Sequence, residues 1–106
     1  MEEVEKAYLA GIVDGEGTVT LTRHRKEETP GPRVAVANNN LRLLEWIKSR
    51  VGGVIVSRKK RKPHHSDSYV WYAQQDRAIR FLGEIKQYLI IKKPHADLIL
   101  QKYKSV

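Results

Sequence analysis

Ala7, Gly11 and Gly15 recur every four residues in a segment that runs straight into two carboxylates, Asp14 and Glu16, set among glycines. Val4, Ala7, Tyr8, Gly11 and Ile12 keep helical spacing, and Glu2, Glu3 and Glu5 put negative charge where a helix dipole favours it. A helix over roughly Glu2–Val13 is predicted. Gly15 and Gly17 have the freedom to end it, and Thr18-Val19-Thr20-Leu21-Thr22 then alternates like a strand with one buried face. Asp14 and Glu16 therefore fall at a helix-to-strand junction. Unpaired carbonyls at a helix C-terminus are partially negative, so carboxylates there need a cation or a hydrogen bond to offset the repulsion. A divalent metal would supply that offset, and two solvated turn residues are the plain alternative.

The small residues add a second constraint. Ala7, Gly11 and Gly15 share one helix face and leave a groove that another backbone can approach closely. A helical glycine costs up to about 1 kcal/mol against alanine, so Gly11 is expected to have a packing reason. An ordinary contact within the chain would supply one. A second copy of the same helix would instead bring two Glu16 side chains together about a two-fold axis.

With 106 residues, the chain fits one domain with a modest core and leaves no room for a second catalytic module. A net charge of +8 points to a polyanionic partner. The absence of cysteine excludes a disulfide framework and a cysteine zinc site. No apolar run approaches the ~20 residues that cross a bilayer, and none resembles a secretory signal. An intracellular protein with no membrane partner is expected.

Along the chain, Glu27–Pro32 reads as a turn, and Arg33-Val34-Ala35-Val36-Ala37 as a second strand. Asn38, Asn39 and Asn40 suit a turn and helix cap, before an apolar face of Leu41, Leu44, Ile47 and Val51 that stops at Gly52-Gly53. A third strand starts at Val54 and continues to Lys62, and a fourth covers Ser68–Ala73. Helices over about Asp76–Leu89 and from Pro94 complete the chain. This order, helix, two strands, helix, two strands, helix, helix, favours an α+β fold whose antiparallel sheet is covered by helices on one face. The other face is free to bind. Arg58, Lys60 and Lys62 share a strand face, beside which Thr18, Thr20, Thr22, His24 and Lys26 place hydroxyls among cations. Such a mixture suits phosphates and base edges, although a charge run is also what a solvated face looks like.

The segment Leu9-Ala10-Gly11-Ile12-Val13-Asp14-Gly15-Glu16-Gly17 resembles the signature of the LAGLIDADG homing endonucleases, and the resemblance extends over nearly all of the chain. It implies an αββαββα(α) fold with an antiparallel four-stranded saddle sheet. It further implies a homodimer joined through Ala7, Gly11, Asp14 and Gly15, in which Asp14 is mainly structural. Glu16 maps to the metal-binding position, where the family commonly has Asp. Asn38 matches a polar residue that positions water, with Asn39 as the other candidate, and Lys92 matches a lysine before the last helix. The implied DNA contacts are Thr18, Thr20, Thr22, His24, Lys26, Arg33, Arg58, Lys60 and Lys62. Hard oxygen ligands favour Mg2+, with Mn2+ as a substitute. The resemblance therefore implies hydrolysis of both strands of a long pseudo-palindromic double-stranded DNA site, with no small-molecule substrate. A family member that binds nucleic acid without cutting, as an RNA-splicing maturase or a DNA-binding regulator, is the alternative. Two phases remain open for the fourth strand: Tyr69 and Trp71 toward DNA, or those two buried and Val70, Tyr72 and Gln74 outward. His64-His65 reads as a loop near DNA or in solvent.

Overall fold

The computed structural model describes residues 1–22, 31–58 and 68–103. Helix α1 (Glu3–Glu16) leads into β1 (Gly17–Thr22), followed by β2 (Gly31–Asn38), α2 (Leu41–Val51), β3 (Val54–Arg58) and β4 (Ser68–Gln74). Helix α3 (Gln75–Ile85), a 3-10 turn (Lys86–Tyr88) and α4 (Lys93–Lys102) follow. The strands form one antiparallel sheet in the order β1-β2-β4-β3. Each predicted strand pair is adjacent in it, and β2 and β4 join the pairs.

Helix α1 runs to Glu16, past the expected end at Val13, and stops at Gly17, its C-cap. Gly15 is helical and Gly17 is extended at φ −94°. Gly17 supplies space instead: a Cβ there would lie 2.9 Å from the Val13 Cα and 3.2 Å from the Ala35 carbonyl oxygen. This close approach seats the last turn of α1 against β2. Positive φ is used elsewhere, at Gly52 (87°) and Gly53 (99°), where α2 reverses into β3. The Gly52 carbonyl accepts the Trp71 indole N–H at 2.8 Å, tying that reversal to the sheet.

The core lies on one side of the sheet. Leu9, Ala10 and Val13 of α1, Leu44 and Ile47 of α2, Phe81, Leu82 and Ile85 of α3, and Ala96 and Ile99 of α4 pack with Val34, Val36, Trp71 and Ala73. Trp71 is fully buried with its ring edge-on to Phe81. Burying an aromatic of this size is worth a few kcal/mol, and it fixes the phase of β4. Tyr69, Trp71 and Ala73 face the helices, whereas Tyr72 and Gln74 take the open face. Val70 shares that open face but is buried at 4% exposure, in register with Ala37 and Val56. Helix α3 ends at Ile85 rather than Leu89; the tighter turn that follows still delivers Leu89 to the core and leaves Ile90 exposed. Among the described residues no helix is long and apolar enough to cross a membrane.

Candidate active site and nucleic-acid interface

Two carboxylates two residues apart in the last turn of α1 meet different surroundings. Asp14 accepts three consecutive backbone N–H groups, from Ile90 at 2.7 Å, Ile91 at 3.1 Å and Lys92 at 2.9 Å. The Lys92 ammonium donates to the Asp14 backbone carbonyl at 2.9 Å. Protein groups therefore relieve the electrostatic conflict of an acid at a helix C-terminus, and the Asp14 carboxylate needs no metal. The exchange also locks the turn before α4, whose N-cap is Lys92 with Pro94 in the first turn. The Asp14 carboxylate thus turns toward the Ile90–Lys92 backbone of its own chain, as expected of a mainly structural acid.

Glu16 is exposed. Its Oε2 accepts one hydrogen bond, 2.9 Å from the Asn38 Nδ2. The Asn38 Oδ1 in turn accepts the Asn40 backbone N–H at 2.8 Å, which leaves the amide nitrogen toward Glu16. Asn40 caps α2 through the Arg42 N–H at 3.1 Å. The three asparagines thus divide the work: Asn38 reaches Glu16, Asn40 caps the helix, and Asn39 is exposed.

Glu16 and Asn38 also close one end of an open groove lined by Ala7, Tyr8, Gly11, Ile12 and Leu43. Among the described residues nothing comes within 4 Å of a Cβ built on Gly11 or Gly15. Helix α1 is apolar on both sides: Leu9, Ala10 and Val13 are buried in the core, yet Val4 and Tyr8 are 71% and 56% exposed on the outside. Trp46 packs edge-on against Tyr8, extending this outer surface onto α2. The spacing of the small residues signalled the groove; nothing in the sequence signalled Trp46.

The residues present suit a hard cation, though only in part. Glu16 is one ionisable oxygen ligand, and among the described residues no cluster of three or more His, Cys, Asp or Glu could hold a metal. Mg2+ keeps several waters and needs few protein ligands, so the Glu16 carboxylate suits such a cation as one of its donors.

On the open face, Thr18 and Thr20 are exposed on β1, in register with Ala35 and Arg33. Thr22 continues the strand opposite Gly31. Arg33 is half-buried with its guanidinium 4.3 Å from the centre of the Tyr72 ring, and Arg58 is exposed on β3. His24, Lys26, Lys60 and Lys62 lie outside the described residues, as do His64-His65 and most of the Glu27–Pro32 turn. Tyr72 was missed as a definite member of this face; the alternation that pairs Trp71 with Val36 is the signal that places it there.

An open antiparallel sheet, helices confined to its other side, and an acidic helix end abutting an inner strand define the LAGLIDADG endonuclease-like fold. The LAGLIDADG-like domain family matches residues 3–93, and the chain belongs to that family. Among solved structures it is similar to the homing endonuclease I-CvuI, seen with I-CreI target DNA, at 21% identity and a TM-score of 0.75. That match covers 93% of this chain and 65% of I-CvuI. It is also similar to I-Vdi141I, an archaeal intron-encoded homing endonuclease complexed with DNA, at 22% identity and a TM-score of 0.72, covering 95% of this chain and 67% of that one. The match to I-SmaMI, a meganuclease bound to uncleavable DNA, has 20% identity and a TM-score of 0.67, and covers 92% of this chain but 37% of I-SmaMI. The chain thus spans about two thirds of the first two proteins and little more than a third of the last. A comparison with curated proteins gave no match.

Proposed function

We propose that the chain is an intracellular DNA endonuclease that pairs through α1 and cuts both strands of a long pseudo-palindromic site with the help of a divalent metal. The observation that carries the reading is Glu16, oriented by Asn38 at the end of a groove whose floor is Ala7 and Gly11. Two copies packed groove to groove bring two Glu16 carboxylates together, and each then serves a different DNA strand. The apolar outer surface of Val4, Tyr8 and Trp46 leaves water in that arrangement.

Glu16 would hold the cation through the oxygen lone pairs that Asn38 does not occupy. Bound Mg2+ would activate water, stabilise charge at phosphorus and assist the departing 3′ oxygen. Asn38 fixes the carboxylate and retains a second amide hydrogen for a water. Lys92 keeps positive charge beside the same helix end, held by the Asp14 carbonyl. Arg33, Arg58 and the threonines of β1 meet the DNA. I-CvuI is seen with target DNA in the presence of 2 mM Mg, the DNA not cleaved, and in the presence of 2 mM Ca, which supports reading this chain as one that meets DNA together with a divalent cation.

The test is a randomised duplex pool incubated with the purified chain, from which cut molecules are recovered and sequenced. A two-fold-symmetric site cut only with Mg2+ or Mn2+ is expected. Enrichment by binding, with no cut product in either metal, would instead identify a non-cleaving binder.

A further inference from the structure

We propose that the open sheet face selects its target by two chemistries: Arg33, stacked on Tyr72, reads a guanine, while Val54 and Val56 pack on thymine methyl groups of neighbouring base pairs. This rests on the reading of that face as the DNA surface and specifies what the surface selects.

The strand register sorts the face into rows. Thr20, Arg33 and Gln74 form one row; Thr18, Ala35, Tyr72 and Val54 form the next; Ala37, Val70 and Val56 form a third. Arg33 and Tyr72 are diagonal neighbours on the inner strands β2 and β4, within reach for a long side chain over a ring. At 4.3 Å from the ring centre, the guanidinium has an attractive contact that limits its rotamers before any DNA arrives. Arginine presents a planar fork of donors, and guanine presents O6 and N7 as paired acceptors in the major groove. A fork held in advance loses less freedom on binding, which favours a directional base contact over a diffuse phosphate one.

Val54 and Val56 put exposed aliphatic side chains on the open face. They are 44% and 41% exposed on a strand that carries Arg58 two residues further along the same face. Valine neither donates nor accepts a hydrogen bond, and the one apolar group on a base edge in the major groove is the thymine C5-methyl. On β4 the register partners beside them are Tyr72 for Val54 and the buried Val70 for Val56, and Ala35 and Ala37 follow one strand further on. Edge strand β3 therefore offers a methyl-sized apolar panel ending in a phosphate-holding arginine.

The experiment recovers duplexes from a random pool by binding to the wild-type chain, then measures affinity for the enriched site. One invariant guanine per half-site is expected, and Arg33→Gln should lose about tenfold or more of the preference for it. Tyr72→Leu should weaken that same preference and leave other positions in place. Replacing neighbouring thymines by deoxyuridine should weaken wild-type binding about fourfold per methyl, and should not weaken Val54→Ser or Val56→Ser further. The deoxyuridine arm uses the unaltered protein, so misfolded variants cannot decide it. An Arg33→Gln profile identical to wild type, or equal affinity for deoxyuridine and thymine sites, overturns the proposal while leaving DNA binding intact. A pool that never enriches overturns the DNA reading itself, and this inference with it.

Discussion

The Asp14 corner and the Glu16 corner of α1 are two residues apart and are built to opposite ends. Asp14 is saturated: three backbone N–H groups surround its carboxylate and the Lys92 ammonium sits on its carbonyl. Among the described residues Glu16 is held by the Asn38 amide, and its side chain is exposed. The first corner closes the fold by fastening α4 to the end of α1, and the second leaves coordination capacity at the mouth of a groove. The acid that fastens the fold has its oxygens filled by backbone N–H groups, and the acid proposed for catalysis keeps oxygen lone pairs available. Proximity to the helix end is common to both.

That contrast can be broken by substitution. Glu16→Gln should leave folding and DNA binding near wild type while cleavage falls about a thousandfold or more, the scale of removing a group that stabilises developing charge. Gel-based cleavage and binding assays on one selected duplex check both halves. Asp14→Asn should do the reverse, lowering stability by about 2–4 kcal/mol, because one amide oxygen cannot replace a charged acceptor of three N–H groups. A denaturant midpoint measures this, and an unchanged midpoint would mean that the corner is not structural. Asn38→Ala should reduce cleavage about 10–100-fold, the usual loss when the partner that orients a ligand is removed, with little change in duplex affinity.

The smallest effect sharpens the comparison with a third acid. The Glu2 backbone N–H and then the Arg50 guanidinium hold the Glu5 carboxyl below its usual range. Its charged form is thus favoured in the folded state, so its contribution is present above the ordinary glutamate range and fades as pH falls through the lowered value. The stability gap between wild type and Glu5→Gln should therefore close on acidification, as read by denaturant unfolding at a series of pH values.

Element order and the helical, small-residue face of α1 were legible in the sequence because periodicity and small-residue spacing are local properties. The end of α1 was not, since Gly17 serves a contact with Val13 and Ala35 that only the tertiary structure creates. The phase of β4 was ambiguous for a similar reason: Tyr69, Trp71 and Tyr72 all suit either face until the register with Val36 and Ala35 assigns them. Glu16 and Asn38 were nominated by resemblance, and their hydrogen bond joins residues 22 apart in sequence. The satisfaction of Asp14 by the Ile90–Lys92 backbone left no trace in residue identity, because any non-proline residue supplies an N–H.

The central claim is that one chain carries half an active site. Wild-type and Glu16→Gln chains refolded together in varied ratios at fixed total concentration, then assayed for double-strand cleavage of a selected duplex, test it most directly. The account predicts that cleavage falls as the square of the wild-type fraction, since only pairs with two Glu16 residues cut both strands. A fall in simple proportion to the wild-type fraction would contradict it, because each chain would then hold a complete site.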